Sequence, residues 1–433
     1  MSSASCPLPR LAGAAALWIV ALLAWATVRS APAPRIDWQE AVTVASGGGT
    51  KGPWRQNASR YDYVDDATVA WLDGGGPGVA WADQRRKDVL FRASPGAEAV
   101  NVSRSGATFS WHPRIAASKE HVYLLWQEII FSGGSHGGDI LFARSTDKGR
   151  SFGPPLNLSR SRGGDGKGRL DRATWSNGSL DLAVAGDGAV VAAWTEFDGA
   201  LWLARSADAG AGFARPVRIA GDEKVPARAP ALASGAGNRV ALAWTVGEDD
   251  AAAIRVAVSD DGGASFGPPR LVGTANAFAD APRLAMGADG VLHLVYARQP
   301  DRRRGPAQLM YARLPRGGTA FEAPRPISPP GAGYPGLAMD AQGRLLVSWE
   351  VFPRPDARPR GLALAVSTDG GASFGAPQPV PGSAPARGGN GSYQGLLGRK
   401  LAVAPDGGIA IVNSNLVPGE GSRVWVVRGE LRQ

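Results

Sequence analysis

The chain has 433 residues, 59 of them glycine and 33 proline, with a formal net charge of +9 carried mostly by arginine. One cysteine excludes a disulfide-built scaffold, and the four histidines (112, 121, 136, 293) lack metal-ligand spacing, so no metal or other cofactor is expected. No basic run is interleaved with stacking aromatics, which argues against nucleic acid; the basic balance suits an acidic glycan or an envelope polymer instead.

At the amino terminus, Leu11–Val28 is a nearly unbroken apolar run preceded by Arg10. Its length fits a signal-peptide core or a short membrane anchor. Ala24-Trp25-Ala26 offers a small-x-small cleavage site, whereas Arg29 and Arg35 could flank a retained anchor. Export follows on either reading, to the periplasm or cell exterior or held at the membrane by this segment. Cys6 precedes the run without a lipobox. Residues 1–35 are therefore leader or anchor plus linker, and 36–433 a single β-domain.

Beyond residue 35, apolar runs ending in an aromatic recur: GVAW (78–81), VYLLW (122–126), VVAAW (190–194), VALAW (240–244), LHLVY (292–296) and RLLVSW (344–349). Runs of this length and composition, bounded by Gly, Asp and Pro, predict strands. After them comes a fixed phrase, Ser-x-Asp-x-Gly-x-x-Phe: STDKGRSF (145–152), SADAGAGF (206–213), SDDGGASF (259–266) and STDGGASF (367–374). A proline stands three residues past each phenylalanine (Pro155, Pro216, Pro269, Pro377). The last interval is about twice the others, and a worn copy, LPRGGTAF (314–321), fills it with Phe321 and Pro324 in place. Repetition at a fixed period means one supersecondary unit copied around or along an axis. Each unit reads as four antiparallel strands with the phrase in the turn between the third and fourth, which is a propeller blade.

Six such units run from Val64 to about Pro381, and KLAVA (400–404), IAIVN (409–413) and RVWVV (423–427) add three strands without a fourth. Trp38–Val44 matches the fourth-strand phrase Phe321–Ile327 and can supply the missing strand. The expectation is a seven-bladed all-β propeller, six blades being the alternative, closed by pairing of its termini. A monomer is expected.

The phrase resembles the Asp-box of sialidase-type, or BNR-repeat, propellers. Asp147, Asp208, Asp261 and Asp369 are read as turn staples, without a catalytic role. The 1–2 and 3–4 turns occupy one face, leaving the 2–3 and 4–1 loops to carry function on the other. Tyr61-Asp62-Tyr63 with Asp65-Asp66, Trp111-His112-Pro113-Arg114, Trp175, Arg228, Asp280 with Arg283, Tyr334 and Tyr393 enter the first strands there. Asp83, Glu128, Glu196 and Glu350 end second strands on that face. Tyrosines, arginines and acids gathered at one mouth suit a glycan site.

The resemblance implies more specific roles. In sialidases three arginines grip the substrate carboxylate; Arg114, Arg228 and Arg283 are the candidates here. The family's nucleophile is a tyrosine activated by a glutamate, which maps onto Tyr334 and Glu350, with Asp62 or Asp65 as acid/base. Tyr61, Tyr63, Trp111, His112, Trp175 and Tyr393 would line the ligand. The Arg-Ile-Pro phrase that opens sialidase domains is absent. The functional expectation is an exported propeller that binds acidic glycans, with glycoside hydrolysis as its enzymatic form. The alternatives are a non-catalytic envelope binding protein and a polysaccharide lyase that uses His112 with a tyrosine and an arginine.

Overall fold

The computed structural model describes residues 34–130, 137–159, 180–196, 198–235, 237–273, 278–300, 306–355, 357–391 and 398–432. Six four-stranded antiparallel sheets follow one another in strict chain order, and a seventh is shared by the two ends of the chain. Blade 1 comprises Val64–Trp71, Pro77–Asp83, Asp88–Arg92 and Val100–Asn101. Blades 2 to 6 begin with Phe109–Ser118, Leu180–Val184, Ala227–Ser234, Phe278–Met286 and Ala332–Met339, and each sheet runs outward from that innermost strand. Blade 7 consists of Leu401–Val403, Gly408–Val417 and Gly421–Leu431.

The termini close the ring. Val42–Gly47 and Ile36–Trp38 both pair with Gly421–Leu431, so the fourth strand is broken at residues 39–41, where only the Gln39 amide bonds across, to the Arg428 carbonyl (2.8 Å). Seven blades are present, and the six-bladed alternative is discarded.

The core lies between sheets rather than within one centre. Seven clusters each join two consecutive blades, including blade 7 to blade 1. In six blades an aromatic of the second strand fills the seam with the preceding blade: Trp126, Trp194, Trp244, Tyr296 and Trp349 for blades 2 to 6, and Trp81 against blade 7. Each buries about 150–250 Å², and truncating one to alanine costs about 3–5 kcal/mol.

The Asp-box works as a staple, as its sequence indicates. In the first copy Ser145 Oγ donates to Asp147 Oδ1 (2.6 Å) and accepts the Gly149 amide (2.8 Å), while Asp147 accepts the Ser151 amide and hydroxyl (2.9 and 2.6 Å). The box phenylalanine then meets an aromatic ring of the preceding blade edge-on: Phe152 on Phe91, Phe213 on Phe142 and Phe374 on Tyr311, at 4.8–5.4 Å between centroids. Glycine is required at the fifth box position for two reasons. Gly371 has φ +83°, and a Cβ there would lie 1.8 Å from the Tyr311 hydroxyl. The proline past each box immediately precedes the short outer strand, where a missing N–H blunts an exposed edge.

A second staple uses serine. Ser103, Ser159, Ser328 and Ser383 accept amides of Val89, Ile140, Leu309 and Leu362, tying the outer ends of blades 1, 2, 5 and 6 to their third strands. Two of the five Asn-x-Ser triplets, Asn101–Ser103 and Asn157–Ser159, belong to this device.

Candidate functional site at the propeller axis

Five innermost strands carry the same irregularity at the same level. Pairing slips at Asp65/Thr68, Arg228/Ala231, Asp280/Arg283 and Gly333/Gly336, and opposite Leu125/Gln127 in blade 2. One residue in each bulge has a left-handed φ of 49–54°: Asp66, His112, Ala229, Ala281 and Tyr334. For non-glycine residues that conformation costs about 1–2 kcal/mol each. Four of the five precede proline, which has no N–H to offer the ladder, so the extra residue is tolerated there.

The bulge decides where side chains go. The residues just past it, Thr68, Arg114, Ala231, Arg283 and Gly336, pair with the residue before the seam aromatic of the second strand. Asp181 holds this place in blade 3 through its pairing with Ala193, and Lys400 in blade 7, whose carbonyl takes the Val412 amide. Two residues further along, all seven strands have alanine: Ala70, Ala116, Ala183, Ala233, Ala285, Ala338 and Ala402. These methyls wall an axial cavity of about 400 Å³, which Asp181, Arg283, Arg399 and Lys400 line at the end nearer the 4–1 loops.

Arg399 spans that end. From blade 7 its Nη2 donates to Asp181 Oδ2 in blade 3 (2.7 Å) and to the Leu232 carbonyl in blade 4 (2.9 Å), on the opposite side of the ring. Its own carbonyl takes the Val69 amide in blade 1 (2.9 Å). Asp181 Oδ2 also accepts the Leu232 amide (2.7 Å). Arg114 and Arg283 donate Nη1 to the carbonyls of their neighbouring prolines, both at 3.1 Å.

Three guanidinium groups thus share one region with one central carboxylate. Burial, then the charges of Arg283 and Arg399, push Arg114 down to about 9, against the opposing pull of Asp181 and Asp66. Burial and Arg399 push Arg283 down to about 10, with Asp181 and Asp280 opposing. No described carboxylate lies within salt-bridge distance of Arg114. The cluster carries excess positive charge in a low-dielectric place, a setting in which an anion is bound strongly.

Other expected site residues lie elsewhere. Arg228 is fully buried before its bulge rather than after it, and turns away from the axis to pair with Asp280 Oδ2 (2.8 Å) and the Gly247 carbonyl (2.9 Å). It is not a member of the axial group. Glu350 is 1% exposed and bound by the Lys400 ammonium and the Asn390 amide in the seam between blades 6 and 7. Opposite it stands Gly333; the next residue, Tyr334, packs its ring near Phe352 (6.0 Å).

Tyr61, Tyr63 and Trp111 join Phe109, Ile129 and Leu416 in a buried cluster on the loop face, covered by the partly exposed Trp54. Burial, reinforced by Asp65 and Asp66, drives the Tyr63 phenol far above its ordinary range. Asp62 accepts the Gly48 amide (3.4 Å), and Asp65 accepts Gln84 Nε2 (3.0 Å), whose Oε1 takes the Trp111 indole (2.7 Å). His112 is buried; its amide donates to Asp66 Oδ2 (3.2 Å), and its Nδ1 lies 3.9 Å from the same oxygen. Of the second-strand acids, Asp83 accepts the Arg85 and Arg86 amides, and Glu128 accepts the Thr108 hydroxyl with its carboxyl raised by burial. Trp175 and Tyr393, like the apolar leader, lie outside the described residues.

Sequence reasoning missed Asp181, Arg399 and Lys400. The usable signal was positional: at four of the seven first strands a charged residue (Arg114, Asp181, Arg283 or Lys400) stands two places before the alanine.

No family model matches the chain, and no curated protein does. Solved structures do. A PL25 ulvan lyase, from a new family of polysaccharide lyase, superposes with a TM-score of 0.59 at 12% identity, covering 89% of this chain and 95% of that one. The same kind of enzyme bound to -[GlcA(1-4)Rha3S]- gives 0.57 at 11% identity over 89% and 95%. A protein of unknown function from Dyadobacter fermentans gives 0.51 at 16% identity over 76% and 97%. The chain is a seven-bladed propeller with Asp-box turns. At these identities the likeness extends to the fold alone.

Proposed function

We propose that the protein binds an acidic glycan at the axial end lined by Arg283 and Arg399, with Arg114 buried beside them and the guanidinium groups gripping the ligand's carboxylate. The convergence of these three on the single carboxylate of Asp181 carries the reading. Bidentate guanidinium–carboxylate geometry is strong and directional, and a buried cationic cluster gains most from a bound anion. The propellers it superposes on include a lyase whose structure holds -[GlcA(1-4)Rha3S]-, a saccharide with a uronate. Isothermal titration with a glucuronate-terminated oligosaccharide tests the reading. Alanine at Arg283 or Arg399 should weaken binding at least about tenfold, or roughly 1.4 kcal/mol; unchanged affinity in both variants would refute it.

A second reading adds catalysis. The buried pairing of His112 with Asp66, two residues from Arg114, favours elimination over hydrolysis, because Glu350 is committed to Lys400 and Asn390. In such a lyase an imidazole or phenolate takes the proton α to the uronate carboxylate. The C4–O bond breaks with protonation of the departing oxygen, leaving an unsaturated uronate. An ultraviolet-absorbing product that His112→Ala abolishes supports this. A saturated product lost with Tyr334→Phe would point instead to hydrolysis. We take the protein to act outside the cytoplasm, as the Leu11–Val28 run suggests; cell fractionation tests that.

A further inference from the structure

Asp181 bears on what kind of anion the site takes. Its side chain is 2% exposed and lines the axial cavity. Oδ2 is fully used, by the Leu232 amide and Arg399 (both 2.7 Å). Oδ1 is buried and has no hydrogen-bond donor among the described residues. Arg114 and Arg283 stand at the same level of the ring, but each donates Nη1 to the carbonyl of its preceding proline, and neither bonds Oδ1. Blade 4 offers Ala231 and Ala233, blade 3 continues with Ala183, and blade 6 offers Gly336. A buried carboxylate oxygen without a donor is an exception among folded proteins and calls for a partner. Alanine and glycine leave the space beside it open to the cavity, where a ligand can bring the donor.

We infer that Asp181 Oδ1 accepts a hydroxyl of the ligand, so the axial site selects hydroxylated carboxylates, such as uronic acids, over anions without a donor. This rests on the glycan-binding reading above. Arg283 and Arg399 supply charge to the ligand's carboxylate, and Asp181 reads the hydroxyl beside it. A sulfate or a plain carboxylate would instead set its own charge against Asp181 with no compensating donor. Sites built to hydrogen-bond a hydroxyl discriminate strongly against analogues that lack it, because the buried group is then left unpaired.

Titration of the full-length protein with D-glucuronate, cyclohexanecarboxylate and inorganic sulfate tests this. Glucuronate should bind at least about tenfold more tightly than either other anion. In Asp181→Ala, which removes the polar group, the preference should fall to about twofold or less, while cyclohexanecarboxylate binds more tightly, because the competing charge is gone. Equal wild-type affinities, or a preference that survives in Asp181→Ala, overturn the hydroxyl requirement while leaving anion binding intact. If no anion binds the wild type, both this inference and the glycan-binding reading fail. The wild-type comparison decides even if the variant does not fold.

Discussion

Lys400 and Glu350 form a buried ion pair in the seam that joins the last blade to the sixth, and breaking it should be costly in one direction only. Blade 7 lacks the seam aromatic of the other blades; Asn413 stands in its place and accepts Lys400 Nζ at 2.8 Å. Glu350 takes Lys400 and Asn390, and Asn390 in turn bonds the Gly361 carbonyl (2.9 Å). Both charged side chains are nearly inaccessible, at 7% and 1%. Lys400→Met leaves Glu350 charged and buried with one amide donor, which should cost about 3–5 kcal/mol. Glu350→Met should cost a similar amount by stranding the ammonium. The double variant should be much closer to wild type, since replacing a buried pair by apolar groups of similar volume is often near neutral. Urea unfolding followed by tryptophan fluorescence measures all four proteins, and the coupling should exceed about 2 kcal/mol. A Lys400→Met protein within about 1 kcal/mol of wild type, or additive single costs, would refute the reasoning.

Three further outcomes are expected. At Asp147, partial burial pushes the carboxyl up, but bonds from the Ser145 and Ser151 hydroxyls and the Ser151 and Arg150 amides outweigh it and hold the group down to about 2. A depressed carboxyl stabilises the fold above its unfolded value and loses that contribution as pH falls through the folded one. The stability gap between wild type and Asp147→Asn should therefore narrow between about pH 4 and 2, and a gap constant over that range in urea titrations would contradict the staple. Gly370→Ala meets no atom within 4 Å and bears only its φ of +64°, about 1 kcal/mol, whereas Gly371→Ala also strikes Tyr311 and should lower Tm further; equal losses would count against the seam contact. Arg228→Met should lower stability by stranding Asp280 yet leave anion affinity unchanged in calorimetry, the reverse of Arg283→Met; a matching loss of affinity would return Arg228 to the site.

The blades were legible because two signals repeat independently of each other: the box with its proline, and the aromatic that closes each second strand. Even the ring closure could be read, from the likeness of Trp38–Val44 to Phe321–Ile327, although the break at residues 39–41 could not. The axial site was only half legible. Arg114 and Arg283 follow a proline, and Arg228 precedes Ala229-Pro230. Between those positions lies the left-handed bulge, which resets the alternation of side chains, so arginines that look equivalent by composition end on different sides of the strand. Arg399 and Lys400 immediately precede a three-residue strand in a blade without a box, where no phrase marks the register. Asp181 is one aspartate among many until pairing with Ala193 puts it level with Arg114 and Arg283. The alanine ring was in plain view, but alanine is too common to be noticed without the register. The burial of Glu350 was hidden for a different reason: a carboxylate ending a second strand on the loop face reads as an acid for chemistry, and its lysine lies fifty residues away in the next blade.

A crystal structure of the protein with a glucuronate-terminated oligosaccharide tests the central claim most directly. The sugar carboxylate should sit on the axis, within hydrogen-bond reach of at least two guanidinium groups among Arg114, Arg283 and Arg399. An oligosaccharide held only at the rim, for instance against Trp54, with the axis occupied by water alone, would contradict it.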